Sequence, residues 1–168
     1  MVVMQLSSVS LVLLGVSLAL ASPSGPSEVK LERGGCPFFW YGFNDRCYKY
    51  VSAHLPWAEA ELHCLSQGAN LVSIYSHQEN VFVKTLIHHF DINQGRTWIG
   101  LSDTHKERAW MWSEGCPMNF QIWSEGEPNN DGGNGDCVEI NYGRQKNWND
   151  SPCSLTAPFV CATRKTVC

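Results

Sequence analysis

Eight cysteines constrain the fold of this 168-residue chain more than any other feature. An even number of cysteines is typical of a disulfide framework in a protein that matures in an oxidising compartment. A zinc site is the alternative. However, the chain has no Cys-x-x-Cys pair, and its two closest cysteines, Cys161 and Cys168, lie seven positions apart. The sequence therefore predicts a domain stapled by disulfide bonds.

The N-terminal segment predicts secretion. Its apolar run "LVLLGVSLAL" has about ten residues, which is too short for the roughly 20 that span a bilayer. The run ends in Ala19-Leu20-Ala21, a small-x-small cleavage pattern, although no Lys or Arg precedes it. We expect residues 1–21 to be a signal peptide, with a buried N-terminal helix as the alternative. Residues 22–35, rich in Pro, Gly and Ser, predict a flexible leader before one domain at 36–168. No later segment suits a membrane span, so an extracellular protein is expected.

Composition narrows the class of function. Hydrophobic residues make up 43% of the chain and seven are Trp, enough for a compact core with large anchors. The formal net charge of −4 argues against nucleic acid, which favours a basic face. An enzyme is not expected, because His88 and His89 have no Ser or Cys nucleophile motif near them. The acids lie in Gly/Asn-rich loops that favour ionised ligands over a carboxyl with a raised pKa.

The order of patterns predicts an α+β domain. A hairpin is expected around "FND", pinned by Cys36 and Cys47, and Pro56 marks the start of a first helix. That helix carries an apolar stripe at Trp57, Ala60, Cys64 and Leu65, and Gly68 suits its end. A second helix begins at a capping box of Ser76 and Glu79. The other segments are short strands: "NLVSI", "TWIGLSD", "RAWMWSEG", "CVEINY", "NWND" and "APFVCATR".

Two segments near the C-terminus are crowded with oxygen donors. They are "GEPNNDGGNGDC" (126–137) and "NWNDSPC" (147–153), and the first falls at the end of an irregular segment, from about Ser113 to Asp136, that is long enough to suggest function. Calcium takes six to eight oxygens from carboxylates, amides, backbone carbonyls and water, and the mixture of Asn, Asp and Glu fits that demand. A disulfide between Cys137 and Cys153 would close a loop of about 15 residues and gather both segments. The alternative is that both are solvated turns.

Five motifs in order, "WAEAELHC", "WIGL", "GEPNN", "WND" and "C…PC…FVC", resemble the C-type lectin domain. The resemblance covers Cys36 to Cys161. Within this family, the chain resembles fish C-type lectins and type II antifreeze relatives. It implies two helices, two small antiparallel sheets and a long calcium-binding loop region. It also implies three disulfides: Cys36–Cys47, Cys64–Cys161 and Cys137–Cys153.

The same resemblance implies a calcium-dependent, secreted lectin with a role in innate immunity at microbial or mucosal glycans. A principal Ca²⁺ would be held by Glu127, Asn129, Asn149 and Asp150, which would also contact the sugar. The Glu127–Pro128 bond is typically cis in this family. The EPN motif suits equatorial 3- and 4-hydroxyls, as in mannose, N-acetylglucosamine and fucose. A possible auxiliary Ca²⁺ would use Asp103, Glu107, Asn130 and Asp136, with ordinary surface charges as the alternative.

Three features depart from that pattern or lie outside it. Gly135 stands where the family has a calcium-binding Glu, which favours the alternative function of an ice-binding (antifreeze) or protein-binding module. Asn149 opens the one N-x-S/T sequon, and we expect it to be unmodified because a glycan would block metal binding. Cys116 and Cys168 lie outside the three implied pairs and could bond each other or link a homodimer, the latter slightly favoured because a one-site lectin gains from multivalency.

Overall fold

A computed structural model of the chain describes residues 29–163. The predicted signal peptide, most of the leader and Cys168 lie outside this range. The described part has two helices and eight strands: β1 Tyr41–Phe43, β2 Arg46–Leu55, α1 Trp57–Ser66, β3 Asn70–Leu71, α2 His77–Phe90, β4 Thr97–Ser102, β5 Met111–Trp112, β6 Cys137–Tyr142, β7 Asn147–Ser151 and β8 Ala157–Ala162. None of its helices combines the length and the apolar character needed to cross a membrane.

The strands form one mixed sheet rather than the two small antiparallel sheets that were expected. Its main path runs β1-β2-β8-β4-β6-β7, with β3 paired to β8 and β5 to β4. Two antiparallel groups are joined where β4 and β8 run parallel, with Trp98 opposite Phe159. The α+β class and the two helices are confirmed. The number of sheets was wrong because sequence patterns identify strands and not the parallel pairing that joins distant ones.

The first hairpin follows the predicted pattern. Asn44 and Asp45, between β1 and β2, both have positive φ angles, 45° and 59°. Two such residues in a two-residue loop match the right-handed twist of the flanking strands, and Asn and Asp tolerate this conformation. Cys36 and Cys47 are bonded, which ties the segment before the hairpin to β2.

Helix α1 buries a narrower face than its sequence suggested. Ala60 and Cys64 are fully buried, whereas Leu65, part of the predicted apolar stripe, is 48% exposed. The helix packs on β3, β8 and β4 along one side only, so the residues on its other side face solvent. Gly68, with a φ of 73°, ends the helix as predicted.

Helix α2 lies on the other part of the core. The side chains of Phe82, Val83, Leu86 and Ile87 are all fully buried, as the predicted stripe requires. Only half of the predicted capping box forms. The Ser76 Oγ accepts a hydrogen bond from the Glu79 N–H at 3.1 Å, but the Glu79 carboxylate accepts from the Tyr75 N–H at 2.8 Å instead of returning to Ser76.

That carboxylate belongs to a buried ionic network. The Arg46 guanidinium donates to Glu79 at 2.7 Å and to the Ser73 carbonyl at 2.9 Å, while the Tyr48 hydroxyl donates to the same Glu79 oxygen. Burial, more than the neighbouring charges, raises the pKa of Tyr48 above its usual range, so the phenol stays a donor. Both charged partners are only 6% exposed, so the network joins β2 to α2 with little access for water.

Besides Cys36–Cys47, two of the implied disulfides connect separate elements of the described range. Cys64–Cys161 joins α1 to β8, and Cys137–Cys153 joins β6 to the loop after β7, so these two implied pairs are present. Cys116 is also disulfide-bonded, and it is paired with none of the other six described cysteines. Because Cys168 lies outside the described range, a covalent homodimer through Cys116 or Cys168 stays a prediction.

Replacement of Arg46 by Ala should destabilise the domain by about 3–5 kcal/mol, because Glu79 would keep a buried charge without its partner. Urea denaturation with intact disulfides would measure the loss. The control is Lys30→Ala, which removes an exposed ion pair with Glu32 and should cost less than about 1 kcal/mol. Equal effects of the two substitutions would contradict a structural role for the network.

Candidate functional site

The two oxygen-rich segments meet at the end of the β6–β7 hairpin. The first forms the turn before β6, and its Glu127–Pro128 bond is cis, as the resemblance implied. The second is β7 itself, which pairs antiparallel with β6, so that Asp150 lies opposite Val138. A site whose parts lie some twenty residues apart in the chain is therefore assembled by one hairpin and the Cys137–Cys153 bond.

Asp150 organises the first segment. Its two carboxylate oxygens accept hydrogen bonds from the backbone N–H groups of Asn129, at 3.0 Å, and Asn130, at 2.7 Å. The Asn129 side-chain oxygen accepts from the Asp131 N–H at 2.8 Å, which closes the turn. Hydrogen bonds to an ionised acceptor are among the stronger ones in proteins. Asp150 therefore fixes the turn that carries Glu127 and Asn129.

Glu127 is the unsatisfied member of this cluster. Its Oε2 is buried, and no residue in the described range donates a hydrogen bond to it. Burial raises the pKa of Glu127, and the adjacent Asp150 carboxylate raises it further. Two neighbouring carboxylates without a cationic side chain between them are costly unless a proton or a cation compensates them.

Asn149 points to the other face of the hairpin. It lies opposite Glu139 in the β6–β7 ladder, and its amide donates to the carboxylate of Glu139 at 3.0 Å and to the hydroxyl of Ser151 at 2.9 Å. Successive side chains of a strand alternate between faces, so Asn149 and its neighbour Asp150 diverge. The structure thus brings together three of the four predicted principal ligands, Glu127, Asn129 and Asp150, while the Asn149 amide, on a residue 6% exposed, is engaged elsewhere.

Gly135 lies directly against Asp150. A Cβ atom at this position would meet the Asp150 Oδ2 at 2.5 Å and the Asn130 Cα at 3.1 Å, so no side chain fits beside this arrangement. The Gly135 N–H donates to the Asn130 side-chain oxygen at 2.9 Å. A side chain at position 135 would have to displace the Asp150 carboxylate, which occupies the space that its Cβ needs.

The four residues of the predicted auxiliary site lie together beside this cluster. The Asn130 amide donates to the Glu107 carboxylate at 2.9 Å, and the Asp103 N–H donates to the backbone carbonyl of Asp136 at 3.1 Å. Asp103 is 2% exposed, its Oδ2 accepts from the Arg108 N–H at 2.7 Å, and its Oδ1 is buried with no partner among the described residues. Burial, followed by the charges of Glu107 and Asp136, raises the pKa of Asp103.

The donors present fit a hard cation. All are carboxylate, amide or backbone oxygens, and two buried carboxylate oxygens, on Glu127 and Asp103, lack a donor. In residues 29–163 no group of three or more His, Cys, Asp or Glu side chains converges in a metal-binding arrangement, so a Ca²⁺ ion would depend on amide and backbone oxygens. Glu127, Asn129 and Asp150 would hold the principal ion, and whether Asn149 joins them stays a prediction.

Sequence reasoning missed Glu139 and Arg96. Glu139 is buried, yet it forms an ion pair of 3.2 Å with Arg96 and accepts from Asn149 and Ser151. A sequence signal existed, because an acid in the otherwise apolar stretch "CVEI" is unusual for a buried strand. Its partners could not be read, since they come from a different loop and strand.

Comparison with known proteins places the chain in a family. The family model of the Lectin C-type domain matches residues 53–163 of the chain. The chain belongs to the C-type lectin domain family. Lactose-binding lectin l-2 of Anguilla japonica is 40% identical over 155 residues, covering 88% of this chain and 89% of that protein. Galactose-specific lectin nattectin of Thalassophryne nattereri is 34% identical, covering 86% and 91%.

A solved structure supports the same family. Herring type II antifreeze protein superposes with a TM-score of 0.72 at 34% identity, covering 78% of this chain and all of that one. The predicted fold is confirmed, and the chain is a binding domain rather than an enzyme.

Substitution of Gly135 by Ala should displace the Asp150 carboxylate and destabilise the domain by about 1–3 kcal/mol, because the new methyl group overlaps Oδ2. Amide hydrogen exchange would then show faster exchange at Asn129 and Asn130. Gly35→Ala is the matched control, since a Cβ there meets nothing within 4 Å. Unchanged protection of both amides in Gly135→Ala would show that Asp150 does not hold the turn.

Proposed function

We propose that this protein is a secreted, calcium-dependent lectin of the mannose type. The observation that carries the proposal is the convergence of Glu127, Asn129 and Asp150, with the buried Glu127 Oε2 left without a donor. An incompletely satisfied oxygen cluster at the surface of a rigid hairpin is suited to a cation and a polar ligand. Its position at the turn before β6 leaves Asn129 exposed to a ligand in solution.

The residues of the site have different roles in binding. Asp150 holds the turn through two backbone amides, so that Glu127 and Asn129 are presented in a fixed arrangement. When bound, Ca²⁺ would supply a Lewis acid that coordinates two neighbouring hydroxyls of a sugar. The Glu127 carboxylate accepts a hydrogen bond from one hydroxyl, and the Asn129 amide donates to the other. A ligand of this kind needs vicinal hydroxyls with a matching orientation.

Mannose, N-acetylglucosamine and fucose are the ligands that the EPN motif favours, since they present equatorial or equivalent hydroxyl pairs. Two relatives carry names that refer to lactose and galactose, and lactose also contains a galactose unit. We retain mannose because the Glu127 and Asn129 side chains are present, and galactose is the competing ligand in each test. Microbial or mucosal glycans outside the cell are the proposed targets, in a role in innate immunity.

Ice binding is the second candidate. Two observations favour it: the similarity to herring type II antifreeze protein, and the replacement of a calcium-binding Glu by Gly135, which leaves fewer charges for the metal. This function would use the same turn as a flat polar surface. Thermal hysteresis of the mature protein, with and without chelator, separates it from sugar binding.

Calorimetric titration should show saturable calcium binding that mannose tightens. Asp150→Asn should weaken calcium binding by at least about tenfold, roughly 1.4 kcal/mol, because a charged donor is lost. The matched control is Asp131→Asn, an exposed acid of the same segment whose side chain makes no hydrogen bond in the described part of the chain. No calcium binding by the wild type up to about 10 mM would overturn the proposal.

The pair of substitutions Glu127→Gln and Asn129→Asp should shift the preference from mannose towards galactose by about tenfold, because donors and acceptors exchange places. Competition binding on immobilised mannose, with free mannose and galactose as competitors, gives the ratio. Asn134→Asp, which changes an exposed amide in the same segment, should leave the ratio as it is. If the paired variant keeps the wild-type ratio, Glu127 and Asn129 do not contact the sugar.

A further inference from the structure

A second groove lies away from the proposed calcium site. It has a volume of about 670 Å³, within the roughly 300–1,000 Å³ typical of small-molecule sites. Its walls come from β2, the end of α2, the loop that follows α2 and the segment 155–158. Glu127, Asn129 and Asp150 are not among its lining residues. A ligand in this groove would therefore bind without the calcium cluster.

One wall of the groove is polar and preorganised. The side chain of Glu139 is 3% exposed; its Oε1 forms an ion pair with Arg96 at 3.2 Å and accepts hydrogen bonds from Asn149 and Ser151, both at 3.0 Å. These contacts all fall on Oε1, and Glu139 is one of the residues that line the groove. Arg96 is 54% exposed and lies over the Tyr142 ring at 4.7 Å, so its remaining donors are held in place at the mouth.

Another part of the lining is aromatic. Tyr50 and Phe90 stack with ring centroids 5.7 Å apart and planes 8° from parallel, and both line the groove. Phe90 is 50% exposed, although a side chain of this size is normally buried. Aromatic rings bind the flat apolar C–H face of a pyranose, while hydroxyls around the ring edge need both donors and acceptors. Stacked rings in the same groove as a carboxylate and a guanidinium meet both needs.

The charges select among ligands. Asp91 and Glu139 carry negative charge and Arg96 carries positive charge. With His54 neutral, the lining residues therefore have a formal net charge of −1. Anionic saccharides, such as sialylated ones, are therefore disfavoured. A cationic amine is disfavoured by charge repulsion from the Arg96 guanidinium, which is 54% exposed and already paired with Glu139.

We propose that this groove is a second, calcium-independent binding site for a neutral saccharide unit. Glu139 and Arg96 bind its hydroxyls, and Tyr50 and Phe90 pack on its ring face. The site uses no residue of the proposed calcium cluster, so its failure and the failure of the proposed function are separable. A chain with two saccharide sites could bind two units of one glycan and gain avidity without a second copy.

The test is NMR titration of the ¹⁵N-labelled mature protein with lactose and with maltose, in the presence of a chelator. We expect saturable shifts of the Gly95, Arg96 and Leu155 amides, with Kd values in the range of about 1–10 mM. Sialyllactose should bind more weakly than lactose. The proposal is overturned if neither sugar shifts these backbone amide signals at concentrations up to about 50 mM. It is also overturned if lysinamide, a small cationic amine, shifts the same signals at a lower concentration than the sugars do.

Two variants decide whether the groove itself binds. Phe90→Ala should weaken binding by about tenfold, whereas Phe38→Ala, which removes an exposed ring outside the groove, should leave it unchanged. Arg96→Gln tests the polar wall and should weaken binding similarly, since a charged donor is lost. Equal affinity of Phe90→Ala and wild type would overturn the assignment. Shifts confined to residues 127–130 and dependent on added calcium would support the proposed function and refute the second site.

Discussion

The central strand β8 is the constraint on which the rest of the domain depends. It pairs antiparallel with β2 on one side, and on the other side it pairs antiparallel with β3 and parallel with β4; Cys161 bonds it to Cys64 of α1. A strand that touches elements from almost the whole chain can form only when the N- and C-terminal parts meet. The disulfide closes a sequence separation of 97 residues, and chain-entropy arguments assign more stabilisation to longer loops. The irregular segment between β5 and β6 can lack regular structure because both flanking strands pair with β4.

Within that frame, the candidate site depends on a substitution of one polar group for another. Gly135 leaves space, and the Asp150 carboxylate fills it while accepting two backbone N–H groups of the preceding turn. The turn is thus ordered by the chain's own charge before any ligand binds. The consequence is a trade between rigidity and charge: the site gains a fixed geometry and has one carboxylate fewer for a cation. This is why sugar binding and ice binding both fit the same surface, since each needs an ordered polar turn and only the first needs a strongly held metal.

Much of the fold could be read from the sequence because its signals are local. The Asn44-Asp45 turn, the stripe of Phe82 and Leu86, and the stop at Gly68 each follow from a few adjacent residues. The parallel pairing of β4 with β8 could not be read, because it joins strands 61 residues apart in register, Trp98 and Phe159. The Glu79 carboxylate was assigned to its own helix cap but lies in a network with Arg46, 33 positions away. Local rules give the elements, and buried charges find distant partners that such rules do not address.

The site shows the same limit at the scale of one strand. Asn149 and Asp150 are adjacent in the motif, yet alternation along β7 sends one side chain to Glu139 and the other to the turn at Asn129. The resemblance assigns both residues to one ligand set, but the pleat of the strand places their side chains on opposite faces. The hairpin thereby connects the calcium cluster on one face with the Arg96–Glu139 groove on the other, through consecutive residues of the same rigid strand. The two hydrogen bonds of Asn149 use its amide N–H groups, so its side-chain oxygen is separated from the Glu127 cluster by the alternation of the strand and not by these bonds.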